Sequence, residues 1–232
     1  MDSERKRGDL LAVWVVAGVL GLSLVIVGVG YVGSGFSIET HAEGGVIETL
    51  QIVVWSLAFL VGAFAIPRSE VPRARLLARW LAFLAALAIV RELDLHEMAN
   101  PDVLGDWGVH YRIDWWLSAE APVLPRVAWA AVFIGIALLQ LWLFARTGPN
   151  PVRALREGDL SAWLLVGSIG LLGAGSVADD LLRGMLPREP LQAFEEIAEL
   201  VGVTLFLGSV VARLRPSGVL PRLGIGRVPA SA

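Results

Sequence analysis

The sequence predicts an all-α membrane protein, a bundle of six transmembrane helices with an interfacial amphipathic segment between helices 3 and 4. Three observations support this fold class. First, 56% of the 232 residues are hydrophobic, more than in ordinary soluble domains. Second, six apolar stretches approach the roughly 20 helical residues that cross a hydrocarbon core of about 30 Å. Third, basic and acidic residues gather at opposite ends of these stretches.

The predicted spans cover residues 10–32, 45–66, 76–90, 123–145, 160–178 and 194–212. The first follows the basic residues Arg5, Lys6 and Arg7, as the apolar region of a signal peptide does. It is longer than the roughly 7–15 apolar residues of such a region, and no clear cleavage site follows, so we interpret it as a retained helix. The third span is short and has charged ends. Residues 1–213 are predicted to form a single membrane domain, and the Pro/Gly-rich residues 214–232 a flexible cytoplasmic tail.

The charges that flank the spans predict the orientation. Basic residues stay on the cytoplasmic side of a membrane. With the N-terminus inside, the inner segments hold 14 of the 19 Lys and Arg residues but only 6 of the 22 Asp and Glu residues. We therefore expect a cell inner (plasma) membrane protein with both termini in the cytoplasm. Insertion alone is enough to explain the asymmetry, yet it places most acids and all three histidines at the outer, periplasmic face.

The longest polar segment lies between the third and fourth spans. Its residues 107–116 read WGVHYRIDWW, in which aromatic residues alternate with polar ones. Trp and Tyr favour the headgroup layer, so the segment is predicted to lie along the outer membrane surface. An aromatic belt that anchors the fold is the simpler interpretation, and a lid over a lipid-facing cleft is the other.

Acidic residues of four helices are predicted to share one layer near the outer face. They are Glu48, Glu92, Asp94, Asp179, Asp180, Glu195, Glu196 and Glu199, with His96 beside them. At about 1.5 Å per helical residue, Glu92 lies roughly 20 Å beyond the interfacial Arg79, and Glu199 lies at a similar height above Arg213. Ionisable side chains at such a depth are costly, which makes them candidates for function.

The spacing of these residues predicts a divalent-metal site. Glu92 and His96 are four residues apart and Glu196 and Glu199 are three apart, so each pair shares a helix face. Carboxylate and imidazole ligands suit a hard or borderline divalent cation, whereas the absence of cysteine excludes thiolate ligands. The predicted metal ligands are Glu48, Glu92, His96, Glu196 and Glu199. A di-iron centre is disfavoured, because there is one Glu-x-x-x-His pattern and no second histidine near the last span.

An ion-pair network is the alternative explanation of the same layer. The helix dipole favours acids at the N-terminal ends of the second and sixth spans and disfavours them at the C-terminal ends of the third and fifth. A positive charge should compensate the acids at the ends of the third and fifth spans. Arg91 and Arg183 could supply it in place of a metal. The sequence leaves both explanations open.

Three classes of function fit these features. The first is a membrane enzyme that acts on a lipid or lipid-linked substrate at the outer leaflet, with a divalent metal or a tuned carboxylate pair supplying the chemistry. The second is a non-catalytic accessory subunit that binds another membrane protein. The third, a cation- or proton-coupled transporter, is disfavoured because the inner half of the bundle lacks matching polar groups. No nucleic-acid partner is expected.

Small residues predict where helices approach closely. Glycines concentrate on the first span (Gly18, Gly21, Gly28 and Gly30) and on the fifth (Gly167, Gly170, Gly173 and Gly175). Lipid supplies no hydrophobic drive between helices, so such residues typically mark helix–helix contacts. Ser176, on the same fifth span, is expected to bond its own backbone rather than to act as a nucleophile.

Overall fold

The computed structural model describes residues 2–33, 45–93, 95, 116, 123–147, 151–182, 185 and 188–214. Among these residues the regular structure is entirely α-helical. The helices are α1 (Asp2–Gly33), α2 (Val46–Ala65), α3 (Pro72–Glu92), α4 (Val123–Thr147), α5 (Pro151–Arg156), α6 (Leu160–Leu182) and α7 (Arg188–Leu214). The predicted all-α class is therefore confirmed.

Five helices contain a segment long and apolar enough to cross a bilayer. These segments are Asp9–Gly30, Val46–Ala65, Val123–Thr147, Leu160–Ala178 and Pro190–Leu214. At about 1.5 Å per residue, even the shortest, of 19 residues, covers nearly 30 Å. Their number indicates a multi-pass membrane protein.

The third predicted span forms α3 but is not among these five. The helix is 21 residues long, yet Arg73, Arg75 and Arg79 occupy its first two turns and Arg91 and Glu92 end it. These charges leave only a short apolar stretch, and the helix as a whole is too charged to count as a membrane-spanning segment. A sixth crossing therefore stays a prediction.

Helix α7 is the centre of the bundle. It packs against α6, α2 and α1, and 78% of the residues in an 18-residue apolar stretch of its span are buried inside the protein. Val203, Phe206 and Val210 belong to the buried core, where the Phe206 ring lies 5.1 Å from that of Trp55 on α2. The interior of the fold is thus organised around the last helix of the chain.

Small residues set several of the close helix contacts. A Cβ atom placed on Gly202 would lie 2.9 Å from Leu172 on α6, and one on Gly62 would lie 3.0 Å from the backbone nitrogen of Ala82 on α3. Both distances are shorter than ordinary contact, so a larger residue at either position would require its neighbour to shift. Of the glycines that the sequence singled out on α6, Gly167 and Gly175 also pack against α7, whereas a Cβ atom on Gly170 or Gly173 would meet no described atom within 4 Å, contrary to expectation.

The glycines of α1 do not behave as expected. A Cβ atom on Gly18, Gly21 or Gly28 would meet no described atom within 4 Å. The expectation of close packing is therefore wrong for these three within a single chain. The physical reason is that α1 contacts α7 through another face, on which Ala12 is buried.

Helix α4 lies at the periphery. Only 6% of the residues in an 18-residue apolar stretch of its span are buried, and α3 is its main neighbour. Trp80 of α3 donates a hydrogen bond to Gln140 and lies edge-on to Phe144, with ring centroids 5.8 Å apart. Most of the surface of α4 is therefore available to lipid or to another protein.

The predicted amphipathic segment lies outside the described residues except for Trp116. The carbonyl oxygen of Trp116 accepts a hydrogen bond of 3.1 Å from Arg126 on α4, and its ring lies 6.2 Å from that of Phe133. This residue is thus attached to the start of α4. The tail is also outside the description, apart from Leu214, which ends α7.

Candidate functional site

Carboxylates of three helices converge where α2 and α7 begin and α3 ends. Glu48 lies in the first turn of α2, Glu92 is the last residue of α3, and α7 contributes Glu195, Glu196 and Glu199. The four other carboxylates all exert electrostatic effects on Glu196. We call these five residues the carboxylate cluster. It contains four of the five predicted metal ligands.

Arg91 forms ion pairs with two members of the cluster. Its Nη2 atom lies 2.8 Å from Glu199 Oε1, and its Nη1 atom lies 3.9 Å from Glu92 Oε1. The Glu199 and Glu92 side chains are only 7% and 8% exposed, whereas the Arg91 side chain is 54% exposed. Arg91 thus lies beside Glu92 at the end of α3, as the sequence predicted, but its direct hydrogen bond goes to Glu199 on α7.

Gln51 is hydrogen-bonded to another member of the cluster, Glu196. Its Nε2 atom donates to the backbone oxygen of Glu196 and to Glu196 Oε2, each at 3.1 Å. Gln51 is 1% exposed, and its Oε1 atom has no hydrogen-bond partner among the described residues. A buried amide oxygen without a partner is costly, so this atom requires an explanation.

The sequence analysis did not select Gln51. A signal was present, since Gln51 follows Glu48 by three residues in an otherwise apolar helix and so shares its face. Amide side chains inside a transmembrane helix are also costly and usually serve packing or function.

Gly175 lets α6 approach the cluster. A Cβ atom at this position would lie 3.1 Å from Glu199 Cγ and 3.4 Å from the backbone oxygen of Glu195. The glycine therefore admits the Glu199 side chain between α6 and α7. The next residue, Ser176, donates to the carbonyl of Leu172 at 3.1 Å, the backbone bond expected from the sequence.

Other residues of the predicted acidic layer fall outside the description. They are His96 and Asp94, the side chains of Asp179 and Asp180, and Arg183. Within the described ranges, no three His, Asp or Glu side chains are grouped so that they could hold a metal ion. The five-residue metal site thus stays a prediction.

The cluster lies at a shallow depth within the helices. Gln51 is five residues beyond the start of α2, or about 7.5 Å, and Glu199 is nine residues beyond Pro190, or about 13.5 Å. The dipole of α2 favours a negative charge on Glu48, whereas the dipole of α3 opposes one on Glu92. Carboxylates in unlike surroundings can serve unlike roles in acid–base chemistry.

Polar side chains continue from the cluster toward the other end of α7. Thr204 donates to the carbonyl of Leu200, and Ser209 donates to the carbonyl of Ser161 on α6 at 2.9 Å. Ser168 is also fully buried, and its hydroxyl has no partner among the described residues. The interior therefore contains buried hydroxyl groups beyond the carboxylate cluster, but these groups carry no charge.

Asp159 caps the opposite end of α6, where it accepts hydrogen bonds from the backbone nitrogen and hydroxyl of Ser161 at 2.9 and 2.6 Å. Arg213 near the end of α7 interacts electrostatically with Asp159. Asp159 and Arg213 thus belong to a second polar layer at this end of the bundle, separate from the carboxylate cluster.

Comparisons with protein-family models, with curated proteins and with solved structures found no match to this chain. Its function must therefore be argued from its own residues.

Proposed function

We propose that the chain is a six-span inner-membrane enzyme with both termini in the cytoplasm. In this proposal the carboxylate cluster faces the periplasm and acts on a lipid or lipid-linked substrate of the outer leaflet. A divalent metal ion would supply Lewis acidity there. The observation that carries the proposal is the meeting of carboxylates from α2, α3 and α7 inside an apolar bundle, with one arginine and one amide directly bonded to them.

The energetic argument concerns the burial of charge. Ionised carboxylates inside a membrane bundle are expensive unless they are paired, hydrated or bound to a cation. Arg91 directly contacts Glu199 and lies near Glu92, while Glu196 is bonded to the neutral Gln51. If these residues served only to hold the helices together, apolar side chains would suffice, because apolar packing often stabilises a fold as much as a buried ion pair or more.

Arg91 supports a lipid substrate in particular. Its side chain is half exposed at the edge of the cluster, and a guanidinium offers five N–H donors, of which Glu199 occupies one. The remaining donors suit the phosphate of a headgroup. The Glu199 carboxylate would then fix the position of the guanidinium, and Glu196 would be the candidate for proton transfer.

The proposal can be tested on purified protein in vesicles. We would incubate it with ³²P-labelled total lipid of the expression host, with Mg²⁺ or Mn²⁺ and with EDTA, and separate the lipids by chromatography. We expect a lipid species to change in the presence of metal, and Glu196→Gln to lower the rate at least tenfold. Glu157→Gln, at the far end of the protein, should leave the rate unchanged. Unchanged lipids under every condition would contradict the enzyme proposal.

A non-catalytic accessory subunit is the second candidate, and the exposed face of α1 favours it. Among the described residues nothing lies within 4 Å of a Cβ atom placed on Gly18, Gly21 or Gly28 of this face, although small residues usually mark contacts between helices. Cross-linking from this face in native membranes would distinguish the candidates. A fixed partner recovered together with unchanged lipids supports the subunit, whereas lipid turnover by the protein alone supports the enzyme.

A further inference from the structure

The orientation of the Gln51 amide is fixed by two acceptors on α7. Its Nε2 atom lies 3.1 Å from the backbone oxygen of Glu196 and 3.1 Å from Glu196 Oε2. An amide nitrogen carries two N–H donors, whereas an amide oxygen only accepts. An amide turned the other way would bring its oxygen against two others, so the nitrogen must face Glu196. Gln51 is therefore a donor to Glu196 and not an acceptor from it.

The two hydrogen bonds of Gln51 have different roles. The backbone oxygen of Glu196 remains an acceptor whatever the charge of the side chain, so the first bond holds the amide in place in both protonation states. The second N–H group is thereby directed at Oε2. Gln51 is 1% exposed, so bulk water does not reach the amide. The carboxyl group of Glu196 thus meets a donor that stays in place while its charge changes.

A fixed donor makes the two oxygens of the Glu196 carboxyl group unequal. A protonated carboxyl group has one O–H group, which donates, and one carbonyl oxygen, which accepts. Because Oε2 accepts from Gln51, it is the carbonyl oxygen of the protonated group, and the proton belongs on Oε1. The ionised group keeps the same bond, so a proton can leave or join Oε1 without any movement of the amide.

The partner of Glu196 also differs in kind from that of Glu199. Glu199 accepts from the guanidinium of Arg91, which always carries a positive charge and bonds most strongly to an ionised acceptor. Gln51 is neutral and donates to either form of Glu196. A group that gains and loses a proton in each reaction cycle is better served by a partner of the second kind.

We propose that Gln51 is a positioning residue for Glu196, which holds the carboxyl group so that proton transfer with the substrate takes place at Glu196 Oε1. Gln51 does not touch the reacting atoms and acts only through Glu196. The inference rests on the proposed function for the use of the proton, but the assignment of the two oxygens does not depend on the substrate.

Infrared spectroscopy of the purified protein tests the assignment without any lipid substrate. Acidification protonates carboxylates, and the C=O stretching band of Glu196 is identified by its absence in Glu196→Gln. A C=O group that accepts a hydrogen bond absorbs at lower frequency than one that does not. We therefore expect the band to move to higher frequency in Gln51→Leu.

Gln140→Leu is the matched control for this experiment, because Gln140 is also an amide inside a helix but is bonded to the indole of Trp80. It should leave the Glu196 band where it is in the wild type. An unmoved band in Gln51→Leu would overturn the inference, and so would the absence of any Glu196 band from the folded wild type in acid.

Gln51→Glu separates a positioning donor from a simple link between α2 and α7. The new carboxyl group has nearly the size of the amide. It donates to Glu196 Oε2 when protonated and repels it when ionised. We expect lipid turnover at neutral pH to fall at least tenfold below the wild type with KM unchanged, and to recover in part, relative to the wild type at the same pH, as the pH is lowered. A folded variant whose relative rate stays low in acid, or never falls, would overturn the inference.

Failure of this inference is distinguishable from failure of the enzyme proposal. A band that moves in Gln51→Leu, with no lipid changed by the wild type, would support the assignment of the oxygens and count against the enzyme. Lipid turnover that is lost in Glu196→Gln but unaffected by Gln51→Leu would support the enzyme and overturn the positioning role.

Discussion

Helices α4 and α7 contain apolar spans of equal length but occupy opposite environments. Each span has 25 residues, yet in an apolar stretch of 18 residues within each span, 78% of the α7 residues are buried and only 6% of the α4 residues. The α7 span carries Gly202, Gly208, Thr204, Ser209 and three glutamates, whereas the α4 span has no acidic residue and one glycine. Inside a bilayer, lipid solvates leucine as well as protein does, so small and polar residues determine which helix is central.

The largest difference in stability is expected when a leucine is truncated in each of the two helices. Leu207 of α7 is 3% exposed, and Leu138 of α4 is 61% exposed. We predict that Leu207→Ala lowers the free energy of unfolding by about 3 kcal/mol, because it leaves a cavity. Leu138→Ala should cost less than about 0.5 kcal/mol. Thermal unfolding in detergent measures both, and equal losses would contradict the peripheral position of α4.

The next effect concerns the ion pair that joins α7 to α3. Arg91→Ala should cost about 2 kcal/mol, less than for a fully buried pair, because the Arg91 side chain is half exposed. A second substitution, Glu199→Gln, should recover part of this loss, since it removes the charge left without its partner. Arg153→Ala breaks the exposed pair with Glu157 and should cause no measurable change. Additive losses at Arg91 and Glu199 in a double-mutant cycle would disprove the pairing.

Glycine substitutions should have opposite signs in the two helices. A Cβ atom at Gly202 would lie 2.9 Å from Leu172 Cγ, whereas one at Gly135 of α4 would meet no described atom. We predict that Gly202→Ala destabilises the protein by about 1 kcal/mol through overpacking. Gly135→Ala should be neutral or stabilising, because alanine is the better helix former. Melting curves of the two variants give the comparison, and destabilisation by both would show a neighbour at Gly135.

The smallest effect is expected for a single hydrogen bond between helices. Ser209→Ala removes the bond to the Ser161 carbonyl and should cost about 0.6 kcal/mol, the average for such bonds in membranes. Ser176→Ala removes a bond within its own helix and is the matched control, with no loss expected. Equilibrium unfolding of the two variants in mixed micelles would resolve them. A larger loss for Ser176→Ala than for Ser209→Ala would show that the Ser209 hydrogen bond does not stabilise the α6–α7 contact.

Helix positions were predicted better than helix ends. The span predicted at residues 194–212 became α7 (Arg188–Leu214), and the one at 160–178 became α6 (Leu160–Leu182). Hydropathy detects only the apolar part of a helix, while backbone hydrogen bonding continues into polar flanking residues. The short third span shows the same limit, since α3 begins at Pro72 among arginines that an apolar window excludes.

The acidic layer was predicted in outline, whereas its partners were not. Helical spacing placed Glu196 and Glu199 on one face, and the structure has both in the carboxylate cluster. Spacing within one helix cannot show which neighbour a side chain meets. Arg91 contacts Glu199 across 108 positions of sequence, and Gln51 contacts Glu196 across 145.

From the sequence alone follow the membrane class, the approximate helices and the segregation of charge, because apolar length and composition govern the transfer of each segment into lipid. Tertiary structure decided that α7 is central, that the glycines of α1 remain open, and that Gln51 belongs beside Glu196. These features depend on which helix faces meet. In a bilayer that choice rests on close packing and on a few polar contacts between distant residues, neither of which a local pattern of hydrophobicity records.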